Sequence, residues 1–133
     1  MGTLLALDVG TKRIGVAVAD SIVPIAVPMQ TVEVDGTETE VIQKIVLDKL
    51  AEKIVIGYPR NQSGDPTEQT TLVETFAARL GNTVPIVFQD ESVTSVIAED
   101  RLKATNKPYQ KGDIDALAAA IILQDYLEIH HAA

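Results

Sequence analysis

The sequence predicts an α/β domain in which a five-stranded mixed sheet carries helices on both faces. A short apolar run and an alternating segment near the N-terminus have strand character and are separated by only a short turn. Further along, short apolar runs alternate with segments whose apolar residues recur at helical spacing. Antiparallel strands that lead into strand–helix units give a mixed sheet with helices packed on it. The 133 residues fit one domain, 1–133.

The N-terminal third predicts three antiparallel strands. Thr3 to Val9 is a short apolar run, and Arg13 to Asp20 alternates between apolar and other side chains. The step Gly10 to Lys12 between them is short enough for a hairpin. A third extended stretch, Ile25 to Val34, is interrupted by Pro28, which favours an edge position or a bulge.

A helix and a fourth strand are predicted next. Thr37 and Glu40 have the spacing of a capping box. Apolar residues then recur at helical spacing, so we expect a helix that runs to about Glu52. Lys53 to Gly57 is a short apolar run that predicts the fourth strand.

The signal for a second helix begins after a polar loop. Asp65 suits the N-cap, Pro66 the first helical position and Glu68 the third. The apolar spacing continues to Leu80, and Gly81 is the expected stop.

The C-terminal part predicts one more strand and two helices. Pro85 to Phe88 is a buried strand that leads to Asp90 and Glu91. We expect a helix over Ser95 to Lys103, a polar basic loop over Ala104 to Gly112, and an apolar, alanine-rich last helix over Ile114 to Ile129.

The composition excludes several classes of protein. Without cysteine the chain has no disulfide, thiol nucleophile or thiolate metal site. Aromatic residues make up only 4%, which argues against the stacking platforms of single-strand binders. No apolar stretch is long and unbroken enough to span a bilayer, and no signal peptide is visible. We expect a soluble cytoplasmic protein.

Three carboxylates stand at the ends of separate predicted elements. Asp8 ends the first strand, Glu91 follows the fifth, and Asp115 opens the last helix. Ligands of α/β sheets bind at the carboxyl ends of strands, so these residues are candidate metal ligands and catalytic residues. Oxygen ligands without histidine or cysteine favour Mg²⁺ or Mn²⁺, which activate phosphodiester hydrolysis.

Each carboxylate also has a plainer interpretation, and two have competitors. A single acid after a strand is usually a turn residue or a helix cap. Asp113 and Asp115 fall on different faces of a helix, and Asp113 suits the N-cap, so we favour Asp115 as the ligand. Asp90 and Glu91 point to opposite faces of a strand, which leaves the same choice there.

Four motifs are spread over nearly the whole chain: LALDVGTKRIGVAVAD (5–20), VIGYPRNQSGDPTEQT (55–70), QDESVTSVIAED (89–100) and KGDIDALAAAIILQDYLE (111–128). They resemble those of the YqgF/RuvX family, whose members are described as Holliday-junction resolvases and as pre-16S rRNA nucleases. The resemblance implies a ribonuclease-H-like fold and a divalent-metal site on Asp8, Glu91 and Asp115. One position departs from the family pattern, because Ser92 stands where the family usually has arginine.

Basic and backbone groups near the acids are candidates for binding the substrate's phosphates. They are Gly10, Thr11, Lys12, Arg13, Arg60 and Lys111. Since the net charge is −8, we expect these cations to form a local basic rim around the acidic site rather than a basic surface overall.

The resemblance leaves two nucleic-acid substrates open. We rank 5′-end processing of pre-16S rRNA first, with a ribosomal particle as a candidate partner, and cleavage of four-way DNA junctions second. A junction resolvase cuts two symmetric strands and needs a dimer, whereas a trimming nuclease works as a monomer. A different class, supported by Ser92 and the net acidity, is a nucleic-acid-binding module without catalysis.

Overall fold

The computed structural model describes residues 2–20, 22–59, 67–81, 84–91, 100–105 and 110–131. The strands are β1 (Thr3–Val9), β2 (Arg13–Asp20), β3 (Val27–Glu33), β4 (Ala51–Pro59) and β5 (Ile86–Glu91). The helices are α1 (Glu38–Lys49), α2 (Glu68–Leu80) and α3 (Lys111–His131). Residues 100–104 are also helical, and the earlier part of the helix predicted from Ser95 lies outside the described residues.

The five strands form one mixed sheet in the order β3-β2-β1-β4-β5. The strand pairs β1–β2 and β2–β3 are antiparallel, whereas β4 runs parallel to both β1 and β5. The predicted mixed sheet is confirmed. Its consequence for the site is that β1, β4 and β5 end at the same edge of the sheet.

The sheet buries a separate apolar core on each face. One core joins alternate residues of β1, β2 and β4, such as Leu5 and Leu7, to apolar residues of α1 and α2. On the other face Ala6, Ala17 and Val55 pack against α3. Alanine and glycine on this second face let α3 lie close to the strands.

β3 occupies the edge position that Pro28 predicted. Its pairing with β2 changes register between Val16 and Ala17, which face Gln30 and Pro28, so Met29 is the extra residue of a bulge. Proline has no backbone N–H to donate to a neighbouring strand, so prolines within sheets are confined to edge strands and bulges. Pro28 lies both in an edge strand and next to a bulge.

The predicted capping box at α1 is wrong. The Thr37 side chain makes no cap hydrogen bond. Both its hydroxyl and its N–H donate to Asp35 Oδ1, at 2.6 and 2.9 Å, and these bonds lower the pKa of Asp35. The helix also ends before Glu52, because Leu50 adopts a left-handed conformation (φ 53°) and β4 begins directly after it.

The helix α2 begins later than predicted. Thr67, not Asp65, is its N-cap: the Thr67 hydroxyl accepts the Thr70 N–H at 3.2 Å, and the Thr70 hydroxyl accepts the Thr67 N–H at 2.7 Å. The two hydroxyls accept two backbone N–H groups at the start of the helix. The sequence pattern predicts the Asp65 carboxylate in this role. Asp65 and Pro66 lie outside the described residues, and the predicted stop at Gly81 is confirmed.

α3 begins three residues earlier than predicted, at Lys111, which shortens the expected basic loop. Within the described part of the chain, no helix is long and apolar enough to cross a membrane.

An ion pair between the buried Glu38 and the half-exposed Arg79 joins α1 to α2. The Glu38 side chain is only 4% exposed and accepts hydrogen bonds from the Gly36 N–H at 2.7 Å and from Arg79 Nη1 at 3.2 Å. Hydrogen bonds from the backbone N–H groups of Glu38 and Gly36 lower the pKa of this carboxyl most, and Arg79 lowers it further. Burial opposes this shift but does not reverse it.

We expect Glu38→Gln to lower the melting temperature at pH 7, with a loss that shrinks in acid. A lowered carboxyl pKa in the folded state stabilises the protein above the unfolded pKa, about 4.3, and this stabilisation disappears as pH falls through the folded pKa. Melting curves between pH 7 and pH 3 measure it. The control is Asp48→Asn, which breaks the exposed Lys44–Asp48 pair and should have little effect. Parallel pH profiles for Glu38→Gln and wild type would contradict this role.

Candidate active site

The turn between β1 and β2 places Asp8 at the edge where the parallel strands end. A hydrogen bond from the Gly10 N–H to the Arg13 carbonyl closes this turn at 3.0 Å. Residues alternate between faces along a strand. Since Ala6 packs against α3, Asp8 lies on the α3 face of the sheet.

Gly15 brings the start of α3 against this part of the sheet. It is the register partner of Asp8 across the β1–β2 pair. A Cβ added at Gly15 would lie 1.9 Å from the Asp115 carbonyl oxygen and 2.9 Å from the Ala116 nitrogen. Because only a hydrogen fits there, the backbone of Asp115 lies directly over the strand that neighbours Asp8.

Arg13 and Asp115 form an ion pair at this point. Arg13 Nε donates to Asp115 Oδ2 at 2.7 Å, and the two side chains are 29% and 22% exposed. The contact joins the first residue of β2 to the fifth residue of α3. It also gives the predicted phosphate-binding Arg13 a second role, because the guanidinium holds a candidate metal ligand.

The choice between Asp113 and Asp115 follows from their positions on α3. Asp113 is exposed, and its Oδ2 accepts the Gln110 N–H at 2.9 Å. The prediction that Asp113 is the N-cap is wrong, because α3 begins at Lys111. From the third helical position Asp113 instead accepts the N–H of Gln110, the residue before the helix. Asp115 lies on the side of α3 that meets the sheet.

Of the alternative metal ligands Asp90 and Glu91, Asp90 lies on the face of the sheet away from α3. Ile86 packs with the α1–α2 core, and Asp90 shares its face by alternation, away from α3. Glu91 is the last residue of β5 and pairs in register with Pro59 of β4. The structure describes the backbone of Glu91 but not its side chain.

The remaining candidates for phosphate contact divide into described and undescribed residues. Thr11 and Lys12 are exposed in the turn, beside the partly exposed Gly10, and Lys111 is exposed at the start of α3. Arg60 lies outside the described residues, as does Ser92. Lys12 lies in the turn that follows β1, whereas Lys111 precedes Gly112, which lies against Thr31 of β3.

Two residues that the sequence analysis did not single out position the site. Gly15 could have been suspected, since a glycine within an alternating strand often marks a close backbone approach. Gln69 of α2 gives no such signal, yet its Nε2 donates to the Val9 carbonyl at 2.6 Å. It holds the end of β1 one residue beyond Asp8.

The described side chains alone do not complete a metal site. Among them, no three acidic or histidine side chains cluster closely enough to hold an ion. Asp8 and Asp115 are brought to neighbouring positions by the geometry above. The third predicted ligand, Glu91, has a side chain outside this description, so the triad remains a prediction.

Comparison with known proteins identifies relatives over almost the whole chain. A family model described as RuvX, Holliday junction resolvase, matches residues 2–129. A protein of Dechloromonas aromatica, named as a candidate pre-16S rRNA nuclease, is 39% identical over 137 residues that span 98% of this chain and 94% of that protein. One from Sulfurihydrogenibium sp. with the same name is 39% identical over 132 residues, 96% of this chain and 91% of that protein.

Solved structures show the same fold at low sequence identity. RuvC of Thermus thermophilus in complex with a Holliday junction substrate has a TM-score of 0.51 at 14% identity, over 98% of this chain and 97% of that one. Fowlpox virus resolvase with Holliday junction DNA has a TM-score of 0.53 at 13% identity, over 96% and 97%. The fold is therefore ribonuclease-H-like, and the match over residues 2–129 shows that the chain belongs to the RuvX family of nucleases.

Proposed function

We propose that this nuclease uses divalent metal ions to trim the 5′ end of pre-16S rRNA. One observation carries the proposal: Gly15 permits α3 to place Asp115 over the strand next to Asp8. Two carboxylates from distant parts of the sequence are thereby held at the carboxyl edge of parallel strands, where α/β proteins bind their ligands.

The donor chemistry fits Mg²⁺ or Mn²⁺. Carboxylate oxygens are the ligands that these hard cations prefer. Arg13 binds Asp115 through Oδ2, and Oδ1 has no hydrogen-bond partner among the described residues, so the carboxylate keeps an oxygen for a cation. Asp8, Asp115 and Glu91 are the proposed ligands. When bound, the ions supply charge neutralisation and activation of water for phosphodiester hydrolysis.

The protein's own groups orient the site and the substrate. Arg13 fixes the Asp115 carboxylate, and Gln69 fixes the strand end beside Asp8. The turn residues Thr11 and Lys12 are exposed beside the end of β1, where a phosphate can approach. With the exposed Lys111 they form the described part of the proposed phosphate-binding rim.

Precursor rRNA is the proposed substrate because the two proteins that are similar to this chain over nearly its whole length are named as candidate pre-16S rRNA nucleases. A chain of net charge −8 also lacks the cations for many simultaneous phosphate contacts. A small footprint at an RNA end, within a ribosomal particle in the cytoplasm, needs few of them. The family description and the junction-bound neighbours favour a second candidate, cleavage of four-way DNA junctions.

The test is cleavage of the two substrates side by side under titration with Mn²⁺ or Mg²⁺. We expect metal-dependent trimming of precursor rRNA, with junction DNA cut more slowly. In Asp8→Asn, cleavage should fall at least about a hundredfold, since even residues that only support metal ligands cost 10–100-fold. The folded state is checked by circular dichroism.

The other outcomes are informative. Junction DNA cut in preference to RNA would replace the first candidate by the second. Equal binding of uncut RNA with and without Mn²⁺ would identify a binding module without catalysis. A metal-independent cleavage that survives Asp8→Asn would show that the site lies elsewhere.

A further inference from the structure

A pocket at the far end of the α3 face contains polar groups that the nuclease site does not use. It has a volume of about 410 Å³ and is lined by Leu4, Glu52, Lys53, Tyr126, Leu127 and His130. Leu4 precedes Asp8 on β1 by about 13 Å of strand, and Tyr126 follows Asp115 on α3 by about 16 Å of helix. The pocket is therefore separate from the proposed metal site, and we call it the distal pocket.

The distal pocket contains a cation that no described carboxylate neutralises. Lys53 of β4 is half-buried and lies on the same face as Val55, which packs against α3. Among the side chains that the structure describes, no carboxylate lies within ion-pair distance of Lys53 Nζ. The chain has 19 acidic and 11 basic residues, so carboxylates are in excess, yet none is paired with this ammonium. A partly buried charge without a counter-charge attracts an anion.

The polar partner of Lys53 is the hydroxyl group of Tyr126. Lys53 Nζ donates to the Tyr126 hydroxyl oxygen at 3.0 Å and lies 5.6 Å from the centroid of the tyrosine ring. An ammonium has three donors, and this bond uses one of them. Because the hydroxyl oxygen accepts from Lys53, its own proton can be donated to a different acceptor. An ammonium and a hydroxyl 3.0 Å apart can thus donate to oxygens of one anion.

The aromatic ring that carries this hydroxyl is held in place by its surroundings. Tyr126 is only 8% exposed, and its ring lies against the ring of His130 with the centroids 4.3 Å apart. Donors on a side chain that is already ordered lose less conformational entropy when a ligand binds. His130 is exposed one turn further along α3, and its imidazole carries at least one N–H at the border of the same pocket.

An irregularity in the sheet places Glu52 beside the distal pocket. Thr3 pairs with Ala51 and Leu4 pairs with Lys53, so Glu52 is an extra residue in β4. Extra residues of this kind re-aim side chains and are frequent next to active sites. The carboxyl group of Glu52 lies beside the backbone at the start of β1, since a Cβ added at Gly2 would be 2.6 Å from Glu52 Cδ. Its negative charge opposes an anion in the pocket, and it therefore offers a variant that should bind more tightly.

We propose that the distal pocket binds a phosphate group. Lysine and tyrosine side chains both donate hydrogen bonds to phosphate oxygens, and charge-assisted bonds of this kind are among the strongest. Leu4 and Leu127 supply apolar surface for the sugar or base that carries the phosphate. The volume falls in the range of small-molecule sites, about 300–1,000 Å³. The phosphate comes either from a free nucleotide or from the backbone of a bound RNA.

An NMR titration of nitrogen-15-labelled protein in metal-free buffer tests the proposal. The probes are inorganic phosphate, adenosine 5′-monophosphate and a short single-stranded RNA without a terminal phosphate. We expect saturable shifts of the amide signals of Leu4, Lys53 and Leu127. Tighter binding of the nucleotide than of the RNA identifies a free nucleotide as the source, and the reverse order identifies the RNA backbone. If none of the probes shifts these signals, or if the shifts are confined to the turn at residues 10–12, the proposal is wrong.

Single variants locate the phosphate within the pocket. Lys53→Gln and Tyr126→Phe each remove a donor, so each should raise the Kd for phosphate about tenfold or more. Glu52→Gln removes the opposing charge and should lower the Kd. The control Lys44→Gln changes the net charge as Lys53→Gln does, but on α1, where Lys44 pairs with Asp48, and it should bind as wild type does.

Two further results would overturn the proposal. Equal losses in Lys44→Gln and Lys53→Gln would show that total charge alone governs binding. A Glu52→Gln variant that is folded by circular dichroism and binds phosphate more weakly than wild type would place the anion elsewhere. The outcome is independent of the proposed nuclease reaction, because the titration needs neither a metal ion nor cleavage.

Discussion

Replacing Gly15 with alanine is expected to lower nuclease activity about a hundredfold and to lower the free energy of unfolding by about 1–3 kcal/mol. The added methyl group would lie 1.9 Å from the Asp115 carbonyl oxygen, far inside van der Waals contact. Both atoms belong to rigid backbone elements, so neither can turn away as a flexible side chain would. Either α3 or β2 must move, and a displacement of about 1 Å at a reacting group costs about 10²-fold in rate.

The control for Gly15→Ala is Ala19→Val. Ala19 lies on the same strand and face and is buried against α3, but further from the turn that carries Asp8. It should cost comparable stability while leaving kcat close to that of wild type. Chemical denaturation measures the free energy and single-turnover cleavage measures the rate. If both variants lose stability and neither loses rate, the close approach at Gly15 is a packing feature only.

The sheet was predictable because its signals are local. Alternation in residues 13–20 and the short apolar runs at 3–9 and 53–57 each identify a strand without knowledge of the rest of the fold. The parallel arrangement of β1, β4 and β5 then follows from the helices between them. This is why Asp8 and the end of β5 could be assigned to one edge of the sheet in advance.

Helix starts were harder to predict, because several polar residues compete for the same backbone donors. At α1, Thr37 turns back to Asp35. At α2, Thr67 and Thr70 cap the helix although Asp65 and Glu68 matched the preferred pattern. Side chains that bond their local backbone have near-equal alternatives, and the packing of each helix decides among them.

The site's positioning contacts were unpredictable for a different reason. Arg13 and Asp115 are separated by 102 residues, and Gln69 and Val9 by 60. No local pattern relates residues so far apart, since the sheet topology alone brings them together. The sequence therefore predicts Arg13 only as a phosphate contact, and its bond to the candidate metal ligand Asp115 depends on the fold.

The pair Asp115→Asn and Asp113→Asn separates a metal ligand from a helix cap. Both substitutions remove one negative charge from the first turns of α3 while keeping the size of the side chain. Asp115→Asn removes a proposed metal ligand and the charge that fixes Arg13, so we expect cleavage to fall at least about a hundredfold. Asp113→Asn keeps an oxygen that can accept the Gln110 N–H, and it should leave cleavage within the range of wild type.

The stability of the two variants should differ as well. A negative charge near a helix N-terminus contributes about 0.3–1 kcal/mol, so Asp113→Asn should destabilise α3 by that amount. Asp115→Asn also replaces the charged partner of Arg13 in a partly buried ion pair. We therefore expect Asp115→Asn to lose more stability than Asp113→Asn in metal-free buffer, as measured by chemical denaturation. Added Mn²⁺ should raise the melting temperature of wild type and of Asp113→Asn, and much less that of Asp115→Asn, because ligand binding to the folded state alone stabilises it. An inactive Asp113→Asn beside an active Asp115→Asn would reverse the assignment, and it would require α3 to present its exposed face to the metal.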